Sequence, residues 1–173
     1  NLAGLGINVN FAPDVDVAVN PNNPVIVKAG RSFSSQADSV TLLAREYIRA
    51  HRKFGVITVL KHFPGHGSSK EDTHYGVADV TKHWQQYELT PYRSLLASGD
   101  VDGIMSAHIV NRNLEPKGLP GTLSKRVLDS LLRKQMSYSG VVFSDDMHMN
   151  AISKNFGLQE AIRLGINAGI DVL

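Results

Sequence analysis

The segment with the highest density of reactive side chains runs from position 61 to position 74. It reads Lys-His-Phe-Pro-Gly-His-Gly over 61–67 and Asp-Thr-His over 72–74. Lysine and histidine can bind a substrate or move a proton, and a carboxylate two residues from a histidine can orient its imidazole. The apolar run 56–60 comes directly before, and proline and glycine then end regular structure. The spacing therefore predicts an enzyme whose chemistry lies at the end of a buried strand.

Apolar runs and amphipathic segments alternate along the whole chain. The runs predict strands over 7–12, 56–60, 101–107 and 140–143 and from 170 onward. Apolar residues at helical spacing predict helices over 39–54, 89–97 and 158–168, and one more that Ser124 caps, with the apolar face Val127, Leu128, Leu131 and Leu132. Nearly all-apolar strands that alternate with helices indicate a parallel sheet covered on both faces.

Reactive side chains follow most of these strands. They are Asp14 and Asp16 after the first strand, Lys61 and His62 after the second, His108 after the third, and Asp145 and Asp146 after the fourth. An open doubly wound sheet needs such residues only beside its switch point, whereas a (β/α)8 barrel brings every strand end to one mouth. The sequence has neither the glycine pattern of a dinucleotide-binding fold nor a Walker sequence. We therefore predict an α/β fold of the (β/α)8 TIM-barrel type.

The number of predicted strands is smaller than a closed barrel needs. About five strands fit into the 173 residues, whereas a complete barrel takes about 250 residues. We therefore expect residues 1–173 to be the central part of a single catalytic barrel domain. The missing barrel segments, on the N-terminal and C-terminal sides, would belong to the same protein, and the fragment by itself would not be an active enzyme.

Composition argues against several other functions. Hydrophobic residues make up 42% of the chain and charged residues 20%, which is ordinary for a globular domain. A net charge of +2 without long Lys/Arg runs argues against nucleic acid as a partner. The sequence has no apolar run of membrane-spanning length and no cysteine, so neither a membrane partner nor a disulfide is expected.

The combined motifs resemble the bacterial β-N-acetylglucosaminidases of glycoside hydrolase family 3. Besides 61–67 and 72–74, the resemblance rests on Gly-Arg-Ser-Phe over 30–33, on Val-Val-Phe-Ser-Asp-Asp-Met over 141–147, and on the asparagine- and proline-rich stretch within 8–34. It covers essentially the whole chain. It implies a glycosidase that removes terminal β-linked N-acetylglucosamine from cell-wall-derived or chitin-type oligosaccharides. Its partner would be a small carbohydrate, and it would use no cofactor or metal.

The resemblance also implies three catalytic residues. Asp145 matches the nucleophile that forms a covalent glycosyl intermediate, so that stereochemistry is retained. His74 matches the acid/base, and Asp72 matches the carboxylate that orients its imidazole. An unperturbed imidazole ionises at about pH 6.5, which suits a group that must give and take a proton. Two other interpretations stay open: Asp145 as a helix cap with Asp146 in its catalytic place, and 72–74 as a solvated turn.

Three further residues match those that hold the sugar where the bond is cut, namely Arg31, Lys61 and His62. Their side chains can donate hydrogen bonds to sugar hydroxyls and to an acetamido oxygen. Each of them could equally form an ion pair with Asp14 or Asp16 at the barrel mouth. The residue types leave both interpretations open.

Two different reactions are also compatible with these side chains. A metal-dependent hydrolase could use a ligand set of His62, His66, Asp72 and His74. That ligand set would leave Asp145 without a role, and activity that survives a strong chelator would exclude it. A related phosphorylase is the other alternative, because a histidine acid/base repels an incoming phosphate less than a carboxylate does.

Overall fold

The computed structural model describes residues 2–74 and 76–173. The strands are β1 (Val9–Asn10), β2 (Ile57–Phe63), β3 (Ala78–Asp79), β4 (Gly103–Ser106), β5 (Ile109–Val110) and β6 (Val141–Phe143). The helices are α1 (Ala37–Arg52), α2 (Thr90–Ala97), a π-helix (Arg126–Gln135), α3 (Asn150–Phe156) and α4 (Leu158–Ala168). Short 3₁₀ helices cover Ala3–Leu5, Gln86–Leu89 and Gly121–Leu123. None of the described helices is both long and apolar enough to cross a membrane.

Four strands form one parallel sheet in the order β1-β2-β4-β6. Its register includes the pairs Val9–Ile57, Val59–Gly103 and Gly103–Val141. Beyond β6, Val172 pairs with Phe143 in a further parallel bridge, at the place where the sequence predicts the next strand. Helix α1 connects β1 to β2, α2 lies between β2 and β4, and the π-helix lies between β4 and β6. Parallel strands joined by helical crossovers confirm the predicted α/β class.

Helix α1 is amphipathic and contributes to the main core. Its buried residues, Val40, Thr41, Ala44 and Ile48, lie on one face of the helix, since 40, 44 and 48 are four apart and 41 and 44 are three apart. They share that core with apolar residues from the sheet and from the other crossovers, including Leu60, Phe63, Leu95, Ile104, Leu128 and Val142. Burial of a large aliphatic side chain stabilises a fold by about 1.5–3 kcal/mol. The core therefore fixes the strands whose ends carry the reactive residues.

Strand β2 is longer than the sequence predicts. It continues to Phe63, because its backbone is paired on both sides beyond position 60. The Lys61 carbonyl accepts the Val15 N–H at 2.8 Å, and the Phe63 carbonyl accepts the Ala107 N–H at 2.7 Å. Lys61 and His62 are therefore held by the sheet rather than by a loop, which restricts the directions of their side chains.

Other element bounds differ less from the prediction. Helix α1 begins and ends two residues earlier than 39–54, and α4 spans Leu158–Ala168 as predicted. Sequence periodicity does not reveal α3 or the two-stranded parallel sheet of β3 and β5, because all three elements are short. The small sheet pairs Ala78 with Ile109 and so attaches the segment that follows His74 to the residues after β4.

The helix that follows Ser124 is a π-helix rather than an α-helix. Ser124 contributes to its N-terminus as predicted, since its Oγ accepts the Val127 N–H at 3.2 Å. At the other end the Met136 N–H donates to the Leu131 carbonyl, five residues back, at 3.0 Å. All four predicted apolar residues are buried: Val127, Leu128, Leu131 and Leu132. The apolar pattern predicts the buried face but does not distinguish between the two windings.

Candidate active site

The carboxyl ends of the parallel strands bring reactive residues from distant parts of the chain to one edge of the sheet. Asp14, after β1, pairs with Lys61 of β2 in a parallel bridge. His108 follows β4, and its Nε2 lies 3.0 Å from the Asp146 carbonyl oxygen after β6. These contacts connect the end of β1 with that of β2 and the end of β4 with that of β6, so reactive residues meet at one edge of the sheet as the sequence predicts.

A buried hydrogen-bonded cluster lies at the ends of β1 and β2. Arg31 Nε is 3.3 Å from Asp14 Oδ2, and Arg31 Nη2 is 3.0 Å from His62 Nε2. On its other side, His62 Nδ1 is 2.8 Å from Asp16 Oδ2. Asp14, Asp16 and His62 are buried, whereas the Arg31 side chain is 31% exposed. Arg31 therefore contacts Asp14, one of the two carboxyl groups considered above, and still reaches the surface where a ligand can bind.

Burial sets the charge states of this cluster. Burial and the neighbouring Asp16 carboxylate raise the pKa of Asp14 to about 8. Burial lowers the pKa of His62 to about 4, so its imidazole is neutral at physiological pH. Burial and then the charge of Arg31 lower the pKa of Lys61. With a neutral His62 and a largely protonated Asp14, the cluster carries less charge than its residue types suggest.

Asp145 has a different electrostatic environment. Burial by itself raises the pKa of its carboxyl group, but His62, the Asp146 N–H, His108 and Lys61 together hold that pKa below the usual range. Asp145 is partly buried at the end of β6, and its Oδ1 accepts the Asp146 N–H at 2.9 Å. Asp145 is therefore a carboxylate at neutral pH, as a nucleophile must be.

Asp146, the alternative nucleophile, belongs to a turn. The residue is exposed, and its Oδ1 accepts the His148 N–H at 2.9 Å. Its carbonyl oxygen accepts a hydrogen bond from His108 Nε2 at 3.0 Å. A carboxylate that accepts the N–H two residues on is typical of a residue that shapes the connection after a strand. This arrangement leaves Asp145 as the carboxylate beside the basic groups.

Asp72 and His74 form a pair on the segment that follows β2. His74 Nδ1 is 2.6 Å from Asp72 Oδ1, and the same oxygen accepts the His74 N–H at 2.8 Å. Burial raises the pKa of Asp72, but the hydrogen bonds from the His74 backbone and ring hold it below its usual range. Ionised Asp72 therefore orients the imidazole with Nδ1–H toward the carboxylate, which leaves Nε2 to exchange a proton. The His74 side chain is 58% exposed and is accessible to a substrate and to water.

Thr73 attaches this pair to both sides of the mouth. Its Oγ1 lies 3.4 Å from His66 Nε2, and its carbonyl accepts the Ala151 N–H at 3.2 Å. His66 belongs to the turn after β2, whereas Ala151 belongs to α3, which follows Asp145 in the chain. The Asp–His pair thus lies on a segment that connects the turn after β2 to the side of the sheet where the candidate nucleophile is placed.

Asn23 joins the loop between β1 and α1 to the turn after β2. Its side-chain nitrogen donates to the carbonyl oxygens of His66 at 2.8 Å and Gly67 at 3.1 Å. Its side-chain oxygen accepts the N–H groups of Val25 and Ile26, both at 2.9 Å. All the hydrogen-bonding groups of this fully buried amide are thus in use, which fixes the two loops against each other.

Two glycines allow the turn after β2 to pack closely against its neighbours. A Cβ at Gly67 would lie 1.7 Å from the Val17 carbonyl oxygen, which no side chain tolerates. Gly65 has a φ of +116°, a conformation that favours glycine, and a Cβ there would lie 2.8 Å from the Glu88 Cβ. The turn therefore rests directly on the backbone after β1 and on the side chain of Glu88.

Glu88 is a fully buried carboxylic acid beneath this turn. Its Oε1 accepts the Gln85 N–H at 3.0 Å, at the start of the 3₁₀ helix that precedes α2. Burial raises the pKa of Glu88 to about 8. The folded protein therefore keeps a proton on Glu88 at a pH where the unfolded chain has lost it.

We expect the free energy of unfolding to fall between pH 6.5 and 8, in part because of Glu88. The pKa of Glu88 in the folded protein lies above the ordinary value of 4.5. Its contribution to stability is therefore largest below pH 4.5 and is lost as the pH rises toward 8. One such group changes stability by at most about 1.4 kcal/mol per pH unit, or roughly 2 kcal/mol across this window. Denaturant unfolding at a series of pH values should show the slope, and Glu88→Gln should reduce it.

The parent protein is the matched control for this measurement. Asp14, whose pKa is also raised to about 8, contributes to both proteins and cancels in the difference. His62 and His66, whose pKa values are lowered from 6.5 to about 4, contribute only below this window and with the opposite sign. An unchanged slope in Glu88→Gln would mean that Glu88 is ionised in the folded protein.

The structure does not support the metal alternative, because it does not bring together the proposed ligands His62, His66, Asp72 and His74. Within the described residues, His62 lies with Asp14 and Asp16, whose ligand atoms are all within 4.8 Å of one another. Asp72 and His74 form a separate, more exposed pair. The four residues are divided because each group has its own hydrogen-bond partners.

Comparison with known proteins decides the family. The model described as "Glycosyl hydrolase family 3 N terminal domain" matches residues 1–173. The chain belongs to glycosyl hydrolase family 3. The family resemblance seen in the motifs is thereby confirmed, and the polar strand ends can be considered as the site of a family 3 domain.

This family 3 chain has relatives along its whole length. It is 39% identical to Beta-hexosaminidase A of Pseudoalteromonas piscicida, over 99% of the chain and 30% of that protein. It is 40% identical to Beta-hexosaminidase LpqI of Mycobacterium tuberculosis, over 97% of the chain and 44% of that protein. The chain therefore spans less than half the length of these two relatives.

A solved structure has the same fold. It is the glycoside hydrolase family 3 beta-N-acetylglucosaminidase from Paenibacillus sp. str. FPU-7, 42% identical, with a TM-score of 0.93 over 99% of this chain and 32% of that chain. This match confirms the predicted fold class, an α/β parallel sheet of the (β/α)8 TIM-barrel type of which the described strands form a part.

Sequence motifs reveal only some of the residues that build this candidate site. They indicate Asp16 as a polar strand end but do not indicate Asn23 or Glu88. The available signal for Asn23 is the Asn-Pro-Asn-Asn-Pro stretch over 20–24, which is typical of turns. Glu88 has no such signal, because a glutamate near the start of a helix resembles an ordinary solvated cap.

Proposed function

We propose that this family 3 chain is the catalytic part of a retaining β-N-acetylglucosaminidase. Its substrate would be terminal β-linked N-acetylglucosamine in cell-wall-derived or chitin-type oligosaccharides. The observation that carries the proposal is the Asp145 carboxylate, kept ionised beside basic groups, together with the hydrogen-bonded pair of Asp72 and His74. The names of the relatives, Beta-hexosaminidase and beta-N-acetylglucosaminidase, support the same substrate class.

The first step forms a covalent intermediate. The Asp145 carboxylate attacks the anomeric carbon, and the bond from that carbon to the leaving oxygen breaks. Protonated His74 gives its Nε2 proton to that oxygen, so the leaving group departs as a neutral alcohol. Asp72 accepts the Nδ1–H bond throughout and keeps the imidazole in one orientation during the transfer. The step leaves a glycosyl ester on Asp145 and a neutral His74.

The second step hydrolyses the ester. Neutral His74 takes a proton from water through Nε2, and the water oxygen forms a bond to the anomeric carbon. The ester bond breaks as this new bond forms, and Asp145 returns as a carboxylate. Two displacements at the same carbon give a product with retained stereochemistry.

Three residues of the buried cluster would hold the sugar. Arg31 presents a planar set of donors that Asp14 keeps in place at 3.3 Å. Lys61, near the end of β2, is partly buried. Burial and the charge of Arg31 lower its pKa and the charge of Asp145 raises it, so Lys61 interacts with both Arg31 and Asp145. His62 is neutral and fixed by contacts on both ring nitrogens. Sugar hydroxyls and an acetamido oxygen match these groups.

The direct test compares two substrates in the complete protein. Turnover of an aryl N-acetyl-β-glucosaminide and of the matching aryl β-glucoside should be measured with and without inorganic phosphate. We expect the N-acetylated substrate to be preferred and the free sugar to be released at a rate that phosphate does not change. Proton NMR of the first product should show the β-anomer before mutarotation.

Each contrary result would point to a specific alternative. Preference for the glucoside would contradict the proposed substrate class. A sugar 1-phosphate that forms only with phosphate would identify a phosphorylase. Initial release of the α-anomer would contradict the covalent route through Asp145, and activity lost to a strong chelator would restore the metal-dependent alternative.

A further inference from the structure

We propose that Asp16 is a positioning residue that holds His62 in one tautomer, with the proton on Nδ1 and an unprotonated, accepting Nε2. The inference rests on the proposed function only in taking His62 as a sugar-binding residue. Asp16 does not need to touch a substrate for this role. It acts through His62 and through the backbone of the turn after β2.

Asp16 is the acceptor for several donors from one short segment. Its Oδ2 lies 2.8 Å from His62 Nδ1, and its Oδ1 accepts the His66 N–H at 2.6 Å. Both oxygens lie 3.3 Å from the His62 N–H. Asp16 is fully buried, and a buried carboxylate is stable only when such donors replace its water. The side chain thus fixes both the His62 ring and the backbone around it.

The partners of His62 determine where its ring proton lies. Arg31 Nη2 is 3.0 Å from His62 Nε2, and a guanidinium group can only donate. Nε2 must therefore be the acceptor, and the single proton of the neutral ring must lie on Nδ1, where Asp16 accepts it. The two contacts agree on one tautomer, and Asp16 is the group that makes it favourable.

The same geometry explains the orientation of the Arg31 guanidinium group. Its guanidinium contacts Asp14 through Nε at 3.3 Å and His62 through Nη2. If His62 carried its proton on Nε2, two donors would face each other at 3.0 Å and the contact would be lost. The tautomer that Asp16 selects therefore fixes the orientation of Arg31 as well as that of His62.

Asp16→Asn is the variant that tests this role. An amide has one acceptor oxygen, and the His66 N–H cannot give up its proton, so we expect the oxygen to stay toward His66. The NH₂ group would then face His62 Nδ1, which must become an acceptor, and the ring proton would move to Nε2. We expect kcat/KM to fall about 10- to 100-fold, mainly through a higher KM, because a buried hydrogen-bond network is mismatched.

The decisive readout is the ¹⁵N spectrum of histidine-labelled complete protein. The His62 signals, assigned by their loss in His62→Gln, should show a protonated Nδ1 and an unprotonated Nε2 in the parent protein. Asp16→Asn should invert this pattern. Arg31→Met should keep the parent pattern, because Asp16 is still present.

Asp102→Asn is the matched control. Asp102 also accepts hydrogen bonds from a β2 residue, the Thr58 N–H at 3.2 Å and the Thr58 hydroxyl at 3.0 Å, but at the opposite end of the strand. The Asp102→Asn substitution also replaces a carboxyl group by an amide. We expect this variant to change neither the His62 tautomer nor KM. A purely structural effect of removing a carboxylate next to β2 would appear in both variants.

Three results would overturn the inference. They are a parent His62 protonated on Nε2, an unchanged tautomer in Asp16→Asn, and an inverted tautomer in Arg31→Met. The parent and Arg31→Met spectra decide the matter even if Asp16→Asn does not fold. The tautomer does not depend on which glycoside is cleaved. The NMR result therefore stands even if the proposed substrate class is wrong, and the two failures can be told apart.

Discussion

We expect Asp145→Asn to abolish turnover of an aryl N-acetyl-β-glucosaminide while leaving the fold unchanged. A neutral amide cannot form the glycosyl ester, so the covalent route is lost. A loss of at least about 10³-fold, or roughly 4 kcal/mol of barrier, is the scale for such a change. Steady-state rates, with circular dichroism to check the fold, would measure it. The side chain is partly buried but not part of the main core, so stability should change little.

Asp146→Asn is the control for this prediction. Its carboxylate lies one residue away, is exposed, and accepts only a turn N–H, from His148 at 2.9 Å, within the described residues. An asparagine oxygen can accept the same bond, so we expect near-normal turnover. If Asp146→Asn were the inactive variant and Asp145→Asn the active one, the nucleophile would be Asp146.

The assignment has a physical basis in the opposite pKa shifts of two carboxyl groups at strand ends. Burial and Asp16 raise the pKa of Asp14 to about 8, whereas basic neighbours hold the pKa of Asp145 below its usual range. A group that is largely protonated at neutral pH is a poor nucleophile. The site thus separates one carboxyl group that can donate a hydrogen bond from one that can attack a carbon.

The sheet and its polar edge could be predicted because they depend on simple periodicities. The strand positions around Leu60, Ile104 and Val142 follow from short, nearly all-apolar runs, and these side chains are fully buried. Parallel strands place their carboxyl ends at one edge, so the proximity of Asp14 and Lys61 follows from the topology. Neither inference requires knowledge of side-chain geometry.

The contacts that organise the site could not be predicted in the same way. The role of Asp16 depends on three donor atoms of His62 and His66, which make four contacts within 3.3 Å of its two oxygens. That of Asn23 depends on carbonyl groups from the turn after β2. Both arise only when segments about 45 residues apart meet, and sequence spacing carries no information about such distances. The π-helix is a similar case, because its apolar pattern fits either winding.

The second large effect is expected for His74→Ala. Loss of a positioned acid/base typically costs about 10²–10⁴-fold in rate, and here it should slow both formation and breakdown of the intermediate. Formation should be affected least for leaving groups that depart without a proton. A series of aryl substrates with leaving groups of different acidity would measure this as a steeper dependence in the variant. His83→Ala is the control, since His83 is an exposed histidine after the same segment and has no proposed role.

Asp72→Ala should give a milder form of the same defect. The carboxylate accepts the Nδ1–H bond at 2.6 Å but transfers no proton itself, so its loss leaves a functional but less well oriented imidazole. The steeper dependence on the leaving group should therefore appear in both variants and be larger in His74→Ala. Undiminished turnover of a poor leaving group by His74→Ala would contradict the assignment, because that reaction most needs a proton from the enzyme. Another group would then have to supply the proton, and His108, whose Nε2 lies 3.0 Å from the Asp146 carbonyl oxygen, would be the next histidine to test.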